Sequence, residues 1–330
     1  MQREQAIMEI QMAHRRRRFA IGVQMKLENS LLGSVLFNHV GVVKWDEVND
    51  TERAKLVLKA QKLIQDSRKR GDPNTDAVRI FVETTDKAKI PATEMRLQAE
   101  KDMAGLAQHL PAYGWWTAME GLGAIGLATI IAEAGDLSNY PGIYPEGHAL
   151  AGQIRPKRQG IDCLIKRLGF APYDGCAGST WTRASRRPRD LSKEEWIANP
   201  FSGRRYSFIQ QVGYNFIKMR QLIGKAKTES GRSEPKGRYG EYYCYRYART
   251  EITHPEWTAG HRDADALRYA IKKLLRDLWQ QWRREVTGGV IRPVPAMATH
   301  DVPIPLPAAD PVAMSGMPDG QSFFAARSAA

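Results

Sequence analysis

HRDADALRYAIKKLLRDLWQQWRRE, residues 261–285, decides the fold class. Leu267, Ile271, Leu274, Leu275, Leu278 and Trp282 recur at helical spacing and form one stripe. Lys272, Lys273, Arg276, Arg283 and Arg284 lie on or flank the other side. Such a stripe belongs to a core, so a long amphipathic helix is predicted here. His261 reads as a cap or surface residue at its start rather than as a ligand.

Upstream, the same period recurs. Phe208 to Arg220 reads as a helix. The stretch Tyr239 to Tyr247, which includes Tyr242, Tyr243 and Tyr245, is dense in tyrosine. Tyrosine nucleophiles need a surrounding set of basic catalytic residues that this stretch does not arrange, so packing is the expected role. EGLGAIGLATIIAEAGDL, residues 120–137, is the sharpest local pattern. Gly121-Leu122-Gly123 and the small residues Ala124, Gly126 and Ala128 precede an apolar helix ending at Gly135. This is the pattern of a helix-hairpin-helix. Glycine leaves backbone N–H groups open to a phosphate, and the next helix adds its positive end. The competing reading is a corner where small residues allow two helices to pack closely.

Nearer the N-terminus, residues 2–40 read as one long helix, with Ile21, Met25, Leu32 and Leu36 in phase and Gly41 as its stop. His14-Arg15-Arg16-Arg17-Arg18 lies inside it. Four consecutive arginines point nearly all round a helix, so water or phosphate is their expected environment. A second helix is predicted after the Asp46 to Asp50 cluster, ending in Arg68-Lys69-Arg70 before Gly71. ValArgIlePheVal at 78–82 allows a short strand or a piece of helix. A third helix is predicted from about Thr93-Glu94 to Leu110, closed by Pro111.

The 330 residues carry 49 Lys+Arg against 36 Asp+Glu, a formal net charge of +13, and the isoelectric point is near 9.7. That balance favours a polyanionic partner, because each neutralised phosphate releases counterions. The three cysteines, Cys163, Cys176 and Cys244, form no Cys-x-x-Cys pair, so neither a disulfide framework nor a structural zinc site is expected. No metal site or cofactor is evident. No apolar run is long enough to span a membrane, and MQREQAIMEI is not a signal peptide, so a cytoplasmic protein is expected.

Basic and aromatic residues cluster twice more. Thr180-Trp181-Thr182-Arg183 leads into Ser185-Arg186-Arg187-Pro188-Arg189, and Gly203-Arg204-Arg205-Tyr206 follows. Arginines beside short hydroxyl residues suit phosphate, and aromatics stack on exposed bases. The backbone of Gly121 and Gly123, with Arg15, Arg16, Arg17, Arg18, Arg183, Arg186, Arg187, Arg204 and Arg205, makes up the expected DNA-contact set.

Four stretches, taken together, resemble the DEDD-type insertion-sequence transposases, the bridge-RNA-guided recombinases. HRRRRFAIGVQMKLENSLLGSVLFNHVGVV at 14–43 is similar to that family's first linker helix. LPAYGWWTAMEGLGAIGLATIIAEAGDLSNYP at 110–141 is similar to the segment opening its C-terminal domain. ArgLeuGlyPheAlaPro at 167–172 resembles the step before its serine loop, and HRDADALRYAIKKLLRDLW at 261–279 its closing helix. The resemblance implies a transposase C-terminal domain with linker helices, DNA binding, and a serine nucleophile. Counted without a gap from Pro172, that serine's place falls on Cys176; with a small insertion it falls on Ser179. The family's acidic RuvC-like domain would precede the linker helix, and this chain is expected to start after it. Mg²⁺ is therefore implied only if a partner supplies that domain.

The expectation is a mainly α protein in three parts. Linker helices form an elongated arm over 1–110. A compact helical DNA-binding domain with the hairpin-like segment covers 111–287. A proline-rich disordered tail covers 288–330, where seven of the 18 prolines fall. The expected function is DNA binding in transposition or site-specific recombination, by a truncated or non-autonomous transposase. An active serine recombinase using Ser179 with a partner's metal site is one alternative; a helical structural or phage-associated module is the other. DNA is the expected partner, with structured RNA and a second copy joined through the arm as further candidates.

Overall fold

The structure, a computed structural model, describes residues 2–41, 48–69, 76–140, 159–170, 203–223 and 233–288. They are mainly α, as the periodicity requires. The helices are α1 (Arg3–Val35), α2 (Asp50–Arg68), α3 (Asp76–Ala107), α4 (Tyr113–Thr117), α5 (Ala124–Ala134), α6 (Gln159–Arg167), α7 (Gly203–Phe216), α8 (Arg238–Thr253) and α9 (Ala259–Thr287). Two π-helical turns, Leu36–Val40 and Ile217–Gln221, continue α1 and α7. After the second, β1 (Leu222–Ile223) pairs antiparallel with β2 (Glu234–Pro235). The described chain divides into two compact units, residues 13–102 and residues 2–12 with 103–288.

In the first unit, α1 and α3 run antiparallel. Arg17 bonds Glu100, Gln24 bonds Thr93, and Glu28 bonds Lys89. Toward the other end, Leu31, Val35 and Leu36 meet Ala60 and Ile64 of α2 and Val78 and Val82 of α3. Asn49 caps α2 by accepting from the Glu52 N–H at 2.9 Å. The π-turn after α1 closes at Gly41, whose φ of 80° is the left-handed conformation.

Residues 78–82 are helix, not strand, and α3 begins at Asp76 rather than near Thr93. A strand would place Val78, Ile80 and Val82 on one face. Here Val78 and Val82, four apart, are buried, and Ile80 points to solvent. Helix α3 continues through Pro91. The Thr93 hydroxyl donates to the Lys89 carbonyl at 2.9 Å beside the proline, and itself accepts from Gln24 at 2.7 Å.

The arginine run is also corrected. Arg16 and Arg17 pair with Asp102 and Glu100 on a neighbouring helix, at 2.9 and 2.8 Å; Arg16 stays exposed to water as expected, whereas Arg17 is largely covered.

The second unit is built on α9. Its stripe of Leu267, Ile271, Leu274, Leu275, Leu278 and Trp282 is buried as the spacing predicts. Thr258 caps its start by accepting from the His261 N–H, and His261 itself is exposed. Helix α8 lies antiparallel to α9, with Tyr239 bonding Asp277 and Arg246 bonding Asp265. Helix α8 also crosses the backbone at Gln221, where a Cβ on Gly240 would come within 1.8 Å of the Gln221 carbonyl oxygen. Asp136, just after α5, ties the end of the hairpin segment in place. Its carboxylate accepts from Trp282 Nε1 at 3.0 Å and from the Ser138 N–H at 2.8 Å, and pairs with Arg3 at 3.1 Å.

Candidate nucleic-acid interface

Helical spacing puts Arg238, Tyr242, Tyr245 and Arg249 on one stripe of α8. It puts Tyr269, Lys272, Lys273 and Arg276 on one stripe of α9. Because the two helices are antiparallel neighbours, these stripes adjoin. An aromatic string joins them. Phe216 and Tyr239 stand 5.6 Å apart, Tyr239 and Tyr242 6.3 Å, Tyr242 and Tyr269 6.3 Å, and Tyr269 and Tyr245 6.5 Å. The string starts in the core at Phe216 and Tyr239 and ends at the half-buried Tyr269 and Tyr245.

Cations lie over the rings. Lys273 sits 5.0 Å from the centroids of both Tyr242 and Tyr269. Arg238 is 5.6 Å from Tyr242, and Arg246 is 5.7 Å from Tyr269. Such contacts hold a cation without neutralising it. Two carboxylates of the face, Asp265 and Asp277, are already engaged. Asp265 pairs with Arg246 at 2.5 Å and Arg268 at 3.6 Å. Asp277, buried, accepts from Tyr239 at 3.0 Å and pairs with Arg238 at 3.6 Å. Burial, and after it the charge of Arg268, lowers the Lys272 pKa. An arriving anion would relieve that strain on the ammonium.

Beneath this face, Lys218 on the π-turn donates to the Tyr243 hydroxyl at 2.7 Å, and both contact the Asp263 carboxylate. Burial and Asp263 push the Tyr243 phenol well above its ordinary pKa; burial and Asp277 do the same to Tyr239. A phenol held protonated is the reverse of an activated nucleophile. Tyr239, Tyr242 and Tyr243 are buried, in keeping with the packing role expected of them. Burial also pushes the Cys244 thiol up to about 11, and its sulfur donates to the Ser233 carbonyl at 3.3 Å.

The glycine corner combines a packed position with an open one. Gly121 has a φ of 95°, and a Cβ there would lie 2.2 Å from Cγ of Arg220, which covers it. Gly126 lets α5 pass Trp116 and Val212, with a Cβ 3.3 Å from Val212 Cγ1. Gly123 has nothing within 4 Å of its Cβ position. It precedes α5 with no side-chain cap, while its carbonyl accepts from Trp116 Nε1 at 3.1 Å. The open approach to the α5 N-terminus is therefore at Gly123 and not at Gly121.

The other expected contact residues are scattered. Arg15 is exposed and Arg18 half-buried on α1. Arg204 and Arg205 fall in the first turn of α7. Cys176, Ser179, Arg183, Arg186 and Arg187 lie outside the described residues, as does the proline-rich stretch from 289 onward. Among the described residues, no group of three His, Cys, Asp or Glu stands ready to hold a metal ion. No described helix is long and apolar enough to cross a membrane.

Lys272, Lys273 and Arg276 were visible in the sequence as the polar side of α9. Arg238, Arg246, Arg249 and Tyr269 were not singled out. The available signal was the four-residue repeat Arg238, Tyr242, Arg246, but nothing local says which helix that stripe adjoins.

No family model matches the chain, and no curated protein or solved structure matches it.

Proposed function

We propose that this chain binds nucleic acid, DNA foremost, through the α8–α9 face, in a transposition or site-specific recombination setting. The observation that carries the reading is the state of the charges on that face. Two of its carboxylates, Asp265 and Asp277, are paired with arginines, and Lys272, Lys273 and Arg249 add to the positive charge of the face. Phosphate oxygens are the natural complement, and binding would release counterions. The recombination setting rests on the resemblance of 110–141 and 261–279 to transposase segments, and the open N-terminus of α5 at Gly123 suits a second backbone contact.

The test is binding of a labelled DNA duplex across a salt series, with Lys272→Glu/Lys273→Glu beside the unaltered chain. Affinity is expected to fall steeply with salt. The double variant should show a shallower slope, by roughly one unit for each phosphate contact removed. Identical slopes for the two proteins would remove this face from the account.

A further inference from the structure

We infer that the α8–α9 face recognises unpaired nucleotides, holding their bases against Tyr245 and Tyr269 and their phosphates on the adjoining cations. This rests on the nucleic-acid reading above and narrows its substrate to single strands or exposed loops.

A face that only attracts phosphate needs cations, and aromatic rings add nothing to it. Here the rings are the framework on which the cations sit. Tyr269 is half-buried, with Arg246 and Lys273 over it at 5.7 and 5.0 Å. Tyr245, also half-buried, stands 6.5 Å from Tyr269 and has its hydroxyl bonded by Arg249 at 3.2 Å. Both surface rings therefore have a guanidinium or an ammonium beside them.

That pairing matches a nucleotide, which presents a flat base and a phosphate joined by a short sugar. A base stacked on a tyrosine gains more than the exposed cation–ring contact it replaces. The cations beside the rings then lie within reach of the phosphate. In a duplex the base faces are already covered by their neighbours, so the rings find no partner and only the cations act. The rings are also well supported. Tyr242 is buried directly behind Tyr269, and Tyr239 behind Tyr242 is anchored by Asp277. Such a platform does not have to be ordered on binding.

The experiment compares three probes on the full chain by fluorescence anisotropy. They are an oligothymidine of about twelve nucleotides, the same strand with every base removed, and a blunt duplex of equal length. The oligothymidine should bind about tenfold more tightly than the abasic strand, which carries the same phosphates. Tyr245→Ala/Tyr269→Ala should abolish that difference, and Tyr245→Phe/Tyr269→Phe should restore it. The unaltered protein provides a test that does not depend on how the variants fold. Equal affinity for the oligothymidine and the abasic strand overturns the stacking inference and leaves phosphate binding standing. Loss of affinity for all three probes alike in the alanine variant overturns it too. No binding to any probe overturns the nucleic-acid reading itself.

Discussion

Both units of this protein are rich in Lys and Arg, but their cations are held differently. In residues 13–102 several arginines meet carboxylates across helices. Arg16 pairs with Asp102 and Arg17 with Glu100, while Arg68 bridges Glu28 and Asp86, with Lys89 on the same two acids. On the α8–α9 face of the other unit, Arg238 and Arg246 meet carboxylates too, but they and Lys273 also rest over tyrosine rings. A carboxylate cancels a positive charge and competes with phosphate for it. A ring positions the charge and leaves its field intact. The number of arginines is therefore a poor guide to where a polyanion docks, and the run at 15–18, the most basic stretch to the eye, is partly consumed by its own fold.

The largest expected effect tests this contrast directly. Lys272→Glu/Lys273→Glu should weaken DNA binding by about 2 kcal/mol or more, whereas Arg16→Glu should leave it unchanged. Anisotropy titrations at one salt concentration decide it. A loss from Arg16→Glu as large as from the α9 pair would erase the distinction. Next in size is Arg68→Met, which leaves Glu28 and Asp86 with Lys89 alone. It should cost about 1 kcal/mol of stability, because these groups are more than a third exposed, and nothing in affinity. Chemical denaturation followed by circular dichroism measures it.

The same network should respond to acid. Burial opposes ionisation of Asp86, but hydrogen bonds from Arg68 and Lys89 hold its pKa below the ordinary 3.8. A lowered pKa means the native state favours the carboxylate. The stability it contributes is present above 3.8 and disappears as pH falls through the folded-state pKa. Melting temperature should drop on acidification, and less steeply in Asp86→Asn; parallel curves for the two proteins would remove Asp86 from the response. The smallest effect concerns the open corner. Gly123→Ser adds a capping side chain to α5 and should stabilise it by a few tenths of a kcal/mol. It should also weaken DNA binding if phosphate reaches those N–H groups. A stabilised variant with undiminished affinity would confine DNA to the α8–α9 face.

Much of the fold was legible because long helices carry their own evidence. The stripe of α9 spans more than four turns, and the end of α2 at Arg68 and the stop of α1 at Gly41 follow from local chemistry. Residues 78–82 were ambiguous because five apolar-rich residues satisfy both periods. Only the helices packed against Val78 and Val82 settle it. The arginine run was misjudged for a related reason. Its carboxylates lie 83 and 86 residues away in sequence, and no pattern announces them. The interface was half legible. One helix face predicts Lys272 and Lys273, but joining them to Tyr242 and Arg246 requires knowing that α8 returns along α9.

The π-turn at Ile217–Gln221 has a consequence for how the chain tolerates change. Its wider winding holds one residue more than an α-helix of the same rise would. It uses the surplus to send Lys218 toward Tyr243 while Arg220 lies over Gly121. Met219 between them is exposed. Losing a residue here would convert the turn to regular helix without shortening the chain's path. The two basic side chains would then swing apart in angle and release one of their targets. Length variation at this spot would act as a dial on the linkage between the glycine corner and the tyrosine helices.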